Sequence, residues 1–521
     1  MTVRPHGKVV PRPAPGLACP VLAAALGLAA CLAARDAPAA GFEYGPQGVH
    51  AIGRGGAFTV AADDPTAMWW NPSRLALQRG TNILVNYSLP MLSLDFQRSP
   101  TRRLDLYSTP AVPVDPAQYS GPFAASKQQN KVFPSGVSAV VTSDFGLKDW
   151  TFGLGMFGPS AVGKVDYPAG STAATRYSFE HMDVLLAYVA ASAAWKYRDI
   201  FGIGATLQYV IVPTLKYSLV IVGPGSAPSW PTAPTYTTGD LRADVSVKDN
   251  FAMTAEVGAW YRPWKFLEIG ASSRVAPVEI NATGSVKMSG DGPQSVFVNA
   301  SPINVPAKLK FVLPPTFRGG VRYRHLVGER EVFDVEADFA WEQWSRLDAF
   351  RTSFPGAACA DDASIGKLGL PCAHLKGSST NIPLYPMTLT RNWKDTYSVR
   401  VGGQWNAIPK RLIARLGWWW ESAAQPLSYT MIDLPSWDRF GLGFGLSTEW
   451  RGVEVAFSYM HIFQLSRTVS EGQGRVYQQQ VTNDGYVARY PVNEGRYTSS
   501  IDVASIGLTL HFNDLIHGER P

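Results

Sequence analysis

Beyond Gly41 this chain holds no apolar run long enough for a membrane helix, yet segment after segment alternates apolar and polar residues. A spanning helix needs about 18–20 consecutive apolar residues, whereas a membrane strand needs only about ten, with one apolar face. Phe201, Ile203, Ala205, Leu207 and Tyr209 alternate with Gly202, Gly204, Thr206 and Gln208. The same period of two runs through Phe251–Tyr261, Phe440–Leu446 and Val453–Tyr459. Fourteen strands are expected, near 81–98, 132–142, 150–160, 179–197, 200–217, 248–262, 264–288, 305–325, 330–345, 395–406, 410–421, 438–450, 452–464 and 496–512. Their connections alternate between long and short, with short turns near 143–149, 198–199, 263, 327–328, 407–409 and 451. Outer-membrane barrels have short periplasmic turns, long extracellular loops and an even strand count that returns both termini to the periplasm. The expected fold class is therefore all-β: a 14-stranded antiparallel transmembrane β-barrel over 81–512 with a short C-terminal tail at 513–521.

Charge placement separates this reading from a large soluble β-sandwich. Arg318, Arg322 and Arg324 share one strand face, and Asp334, Glu336, Asp338 and Glu342 share a face of the next strand. The opposite faces carry Phe317, Val321 and Tyr323, and Phe333, Val335, Phe339 and Trp341. Facing lipid at mid-depth, each Arg would cost about 2–4 kcal/mol. Facing a wet lumen, Arg318, Arg322 and Arg324 can pair with Asp334, Glu336 and Asp338. Trp264, Trp344, Trp405, Trp418, Trp419, Trp420 and Trp450 fall near strand ends, where interfacial aromatic girdles belong.

Residues 1–40 read as a signal peptide: Arg4, Lys8 and Arg12 precede an apolar run from Leu17 to Ala34, and Ala37-Pro38-Ala39 forms an Ala-x-Ala site. A transmembrane anchor, and lipidation at Cys31 in Leu28-Ala29-Ala30-Cys31, are the competing readings. Removal of this segment takes four cations and one anion, so the formal charge falls from +6 to +3. A nearly balanced mature chain gives no argument for nucleic acid as a partner. Cys359 and Cys372 remain, thirteen positions apart, and in an exported protein they are expected to form one disulfide; a metal site would need more ligands than the nearby His374.

Between the signal and the first strand, residues 41–80 are too rich in glycine for a long helix and too broken for a sheet. Asp63-Asp64-Pro65 and Asn71-Pro72 add turn punctuation. Such a segment cannot bury enough surface alone, and its buried amides need partners from outside it. It is expected to plug the lumen, with Arg54, Asp63, Asp64 and Asn71 reaching the wall. A flexible periplasmic linker is the bland alternative.

The motifs Ile52-Gly53-Arg54-Gly55-Gly56, Ala61-Ala62-Asp63-Asp64-Pro65 and Asn71-Pro72, after a Gly41-Phe42 start, resemble the N-terminal hatch of FadL-type outer-membrane transporters. That family carries long-chain fatty acids and other hydrophobic compounds. Ser73 departs from the family's usual Asn-Pro-Ala. Leu313-Pro314-Pro315, Trp341-Glu342-Gln343-Trp344-Ser345, Asp438-Arg439-Phe440 and Phe457-Ser458-Tyr459-Met460-His461 are similar as well. The C-terminus departs from the pattern, because Asn513–Pro521 follow the aromatic Phe512. The resemblance implies a hatch that moves, with Phe42 near the cargo pocket. It also implies a lateral opening beside a kinked third strand, which here carries Gly153, Gly155, Gly158 and Pro159.

No catalytic constellation emerges, and no cofactor or metal is expected: the eight histidines form no His-x-x-x-His pattern, and Gly-x-Ser-x-Gly is absent. The expected function is passive outer-membrane transport of a hydrophobic small molecule or lipid by a monomer embedded in outer-membrane lipids. A lumenal Arg or Lys would pair with the carboxylate of a fatty acid. A general porin is the alternative that the plug argues against, and a barrel enzyme or adhesin is the other. Lumenal glycines and alanines leave space for cargo or plug.

Overall fold

Alternating segments of β-branched and aromatic residues become strands here because both of their faces find a suitable environment. The computed structural model describes residues 41, 44–99, 104–105, 112–113, 126–127, 136–158, 163–169, 173–222, 240–291, 302–356, 372–374, 381–409, 411–479 and 491–517. In chain order the strands are β1 (Thr81–Arg98), β2 (Val137–Ser143), β3 (Trp150–Phe157), β4 (His181–Tyr197), β5 (Phe201–Val222) and β6 (Asp240–Trp264). There follow β7 (Leu267–Arg274 and Val278–Gly290), β8 (Ile303–Leu313 and Thr316–Val327), β9 (Arg330–Glu342) and β10 (Thr396–Ile408). The last four are β11 (Leu412–Glu421), β12 (Arg439–Trp450), β13 (Val453–Val469) and β14 (Gly495–His511). Neighbours pair antiparallel, and β1 pairs with β14 from Asn82 opposite His511 to Arg98 opposite Gly495, which closes a 14-stranded barrel.

Two strands expected to be continuous are interrupted. β7 breaks at 275–277 and β8 at Pro314-Pro315, where proline cannot donate to the ladder. The breaks lie side by side, with Arg274 opposite Thr316 and Val278 opposite Leu313, so the sheet continues across them. The last strand ends at His511, and Phe512 opens a short helix, Phe512–His517, instead of closing the ladder. At the short-turn end, Arg451 and Gly452 both take positive φ (49° and 77°), the geometry of a tight two-residue hairpin.

Burial is inverted relative to a soluble protein. Phe251 and Leu416 are each 68% exposed, while Glu336 is 0% and Asp334 2% exposed. Apolar side chains stand outward and charges point into the lumen, as a barrel in lipid requires. Trp264, Trp405 and Trp450 are exposed near strand ends, as a girdle demands, but Trp344 and Trp419 are buried. The period of two explains Trp419, which points inward between Trp418 and Trp420. Trp344 sits in a 3-10 turn after β9, outside the strand alternation.

Candidate functional site

The segment after Tyr44 winds through the lumen as α1 (Val49–Gly53), α2 (Ala67–Trp70) and a 3-10 helix over Pro72–Leu77, almost wholly buried. Asn71 caps the 3-10 helix: its Oδ1 accepts from Ser73 N–H (3.3 Å) and its Nδ2 donates to Thr59 O (2.9 Å) and to Ala259 O on β6 (3.3 Å). Pro72 takes the first helical position, where a missing N–H costs nothing. Trp70 O accepts from Ser272 Oγ (2.6 Å), Met68 O from Thr206 Oγ1 (2.9 Å) and Ser73 O from Trp260 Nε1 (3.1 Å), all on the wall.

Wall glycines let the hatch backbone touch the strands. A Cβ on Gly417 would sit 2.0 Å from the Arg54 carbonyl carbon, and one on Gly402 2.0 Å from the Arg54 oxygen. Across that contact Gly55 takes φ +63°, and its own Cβ would meet Gly417 at 2.7 Å. The lumenal glycines thus make room for the plug.

β9 supplies the principal anchor. Asp338 Oδ2 accepts from Phe58 N–H (3.0 Å) and Thr59 N–H (2.9 Å), while Glu336 accepts from Val60 N–H (2.7 Å) and Ala61 N–H (2.8 Å). Four consecutive amides with no ladder therefore bind two buried carboxylates. Hydrogen bonds to charged acceptors contribute about 1.5–3 kcal/mol each. Arg54 Nη2 donates to Asp334 Oδ1 (2.6 Å) and lies 3.4 Å from Glu336 Oε2. Burial works against its charge, and Asp334 and Glu336 outweigh it, so its pKa is raised. Arg74 bonds Glu268 Oε2 on β7 (3.1 Å); its burial is the larger effect and lowers its pKa.

The three β8 arginines lie in the lumen, and Arg322 meets the expected Asp334, but the other partners differ from the strand-facing expectation. Arg322 bonds Asp334 (2.8 Å), Glu331 (2.7 Å) and Glu268 (3.2 Å). Arg324 bonds Glu331 (2.5 Å), and Arg318 reaches across β7 to Glu256 on β6 (3.0 Å). Glu336 and Asp338 are taken by the hatch amides, which outcompete cross-strand side chains because four donors converge on them. Glu256, Glu268 and Glu331 were missed as partners; period two placed Glu256 on a polar face, but its partner stands two strands away.

Asp63 and Asp64, expected to reach the wall, instead meet His50 on α1, because the turn before α2 folds them back onto the hatch. His50 Nδ1 is 3.1 Å from Asp63 Oδ1, and Nε2 is 2.9 Å from Glu454 Oε1 on β13. Burial and Arg415 oppose a charged imidazole, but Glu454 and Asp63 outweigh them and raise the His50 pKa to about 10. Burial also opposes the Asp63 charge, but the His50 hydrogen bond and positive charge prevail and lower its pKa. Asp64 is raised, chiefly by burial.

Toward the long-loop end the lumen turns apolar. Phe96 stacks on Tyr497 (4.4 Å between centroids), Trp437 meets Tyr497 edge-on (5.9 Å) and Trp344 meets Trp393 (5.2 Å). Tyr44, Leu94, Trp419, Met460, Ile501 and Val503 belong to the same buried cluster. Arg391 and Asp433 pair within this end of the lumen, and Arg439 pairs with Glu421 (2.8 Å). Arg467 lies over the Trp437 ring at 5.7 Å and donates to Gln425 O (2.8 Å) and Thr430 Oγ1 (3.2 Å); among the described residues no carboxylate pairs with it.

Of the remaining expected site residues, Gly153 faces Met68 of the hatch, where an added Cβ would meet Sδ at 2.7 Å. Gly155 packs against Val140, and Gly158 N–H donates to Val137 O (2.7 Å) just after β3 ends. Phe42, Pro159 and Cys359 lie outside the described residues; Cys372 stands on a short strand, Cys372–His374, paired with Asn381–Pro383.

A closed barrel with lipid-facing apolar side chains, a charged plug at one end of the lumen and an aromatic layer at the other defines a plugged outer-membrane transporter. The chain matches the family model of the outer membrane protein transport proteins (OMPP1/FadL/TodX) over residues 30–494, and it belongs to that family of outer-membrane transporters of hydrophobic compounds. Among solved structures it is similar to a Pseudomonas aeruginosa FadL homologue, at 13% identity and TM-score 0.66, covering 91% of this chain and 100% of that one. It is similar to the Ralstonia pickettii toluene transporter TbuX at 15% identity and TM-score 0.56, covering 90% and 98%. It is also similar to the P. putida toluene transporter TodX at 12% identity and TM-score 0.58, covering 90% and 99%. No curated protein sequence matches the chain. The family and its structural neighbours are transporters and channels, not enzymes.

Proposed function

We propose that this monomer is a passive channel in which an apolar cargo enters from the long-loop side, rests in the aromatic layer and leaves sideways through the wall when the hatch shifts. The observation that carries this reading is the layering of the lumen: rings suited to an apolar body lie directly above a plug tied down by charge. The preferred cargo has an apolar tail and an anionic end. Arg467, seated on Trp437 with only neutral acceptors, is the cation that would take a carboxylate. An aromatic hydrocarbon is the second reading, favoured by the ring-lined walls formed by Phe96, Tyr497, Trp344 and Trp393.

The sideways exit rests on β3. Phe157 stands opposite Tyr188 and Lys164 opposite Asp183, so the chain spends seven steps where β4 spends five. The piece Lys164–Asp166 pairs with β4 alone among the described residues. Lipids extracted from protein purified out of its native membrane should contain a bound fatty acid by mass spectrometry. Arg467→Gln should cut oleate binding at least about tenfold, a loss of about 1.4 kcal/mol, and leave toluene binding unchanged. Sugar and ion conductance through the intact protein in a planar bilayer, with no apolar ligand recovered, would overturn the reading.

A further inference from the structure

We propose that His50, Asp63 and Asp64 form a divalent metal site of the zinc class that clamps the hatch to the barrel wall. The site stands whatever the cargo proves to be. Its three ligands come from two parts of the hatch, α1 and the turn before α2, thirteen residues apart between His50 and Asp63. His50 Nδ1 lies 3.1 Å from Asp63 Oδ1 and 3.4 Å from Asp64 Oδ2, and the three ligand atoms fall within 4.8 Å of one another. Nitrogen and oxygen ligands held about 2.0–2.1 Å from a tetrahedral zinc stand about 3.3 Å from each other. Both measured pairs therefore already have the spacing of neighbouring ligands.

A second observation concerns the far side of the imidazole. Nε2 is 2.9 Å from Glu454 Oε1. A metal-bound histidine usually gives its other ring N–H to a carboxylate, which fixes the tautomer and turns the free lone pair toward the ion. Glu454 does this from β13, so the ion would connect α1 and the Asp63-Asp64 turn, and through Glu454 the wall.

The third observation is the state of Asp64. It is 3% exposed, and its Oδ1 accepts from the Thr66 N–H (2.8 Å). Its Oδ2 is buried without a hydrogen-bond donor and aims at His50. A buried carboxylate oxygen without a donor is a place for a bound ion or water, and here the ion would take over from the His50 charge that faces it. Asp63 retains 36% of its side-chain surface, which gives an ion a way in and leaves room for water as a fourth ligand. One imidazole with two carboxylates suits zinc and its transition-metal neighbours better than calcium or magnesium, which favour oxygen alone. On binding, the ion displaces the proton between His50 Nδ1 and Asp63, and that proton leaves to solvent.

The test uses the full mature protein in detergent, stripped by chelator and titrated calorimetrically with zinc alone. One equivalent should bind, and binding should fall at least a hundredfold in His50→Gln and in Asp64→Asn. Glu454→Gln should weaken it by about tenfold to a hundredfold. Cobalt should give a visible d–d spectrum in the wild type that His50→Gln abolishes. Heat-modifiable gel mobility reports whether each variant folds. If Asp64→Asn does not fold, Asp63→Asn at the exposed ligand carries the same expectation. Wild-type zinc binding no stronger than that of His50→Gln would leave an ion-pair cluster only and overturn the proposal. So would full binding retained in every variant, which would place the ion elsewhere, as at His181 with Asp166 or His461 with Asp502.

Discussion

At the short-turn end of the lumen, hatch amides and guanidinium groups aim at buried carboxylates on β9; at the long-loop end, rings pack on rings, with Arg467 seated on one of them. Hydrogen bonds to Glu336 and Asp338 are directional, so they hold the hatch in a single seat. Packing among Phe96, Trp437 and Tyr497 has little direction, and under the proposed function it would accommodate cargo of varied outline. The difference separates sealing from recognition: damage below should make a leak, and damage above should change what is bound without opening the pore.

The hardest blow to this contrast is deletion of residues 42–70 with the signal and barrel kept. A folded barrel should then conduct ions like an open pore in planar bilayers and lose discrimination between polar and apolar solutes. Unchanged conductance would remove the seal from the lower half. Gly417→Val should give a milder form of the same leak, because its side chain would occupy the space of the Arg54 carbonyl carbon 2.0 Å from the Cβ position. Protease cleavage of the hatch in the intact protein is its readout.

Arg54→Leu comes next. It leaves Asp334 and Glu336 buried with one cation fewer, and breaking a buried pair of this kind costs about 3–5 kcal/mol. The hatch should be released to protease at a lower urea concentration, with Arg54→Lys restoring part of the loss. In the upper half, Trp437→Ala should weaken cargo binding about tenfold, by about 1.4 kcal/mol, with conductance unchanged. A leak from this substitution would erase the division between the halves. Smallest of all is Lys265→Ala on the exposed pair with Glu329, where both side chains are largely in water. Neither conductance nor thermal stability should move measurably.

The sequence by itself determined the barrel. Its alternation of apolar and polar residues needs only neighbours in the chain, because a strand turns successive side chains to opposite faces whatever lies beyond. Connection lengths carry the expected orientation for the same local reason, and the glycine-rich segment before Thr81 declared that it needed a surrounding wall. Tertiary structure alone decided who meets whom inside. Arg318, Arg322 and Arg324 could be placed on a lumenal face, but Glu256 and Glu268 reach them from β6 and β7, at separations no period encodes. Trp344 read as part of the girdle, and only the tertiary structure buried it, in a 3-10 turn against Trp393. His50 formed no motif with any other histidine; a turn of the hatch and a carboxylate 404 positions away brought its partners to it. Pairing across a lumen depends on where the closed sheet sets strands that are distant in the chain, and that is a property of the barrel as a whole.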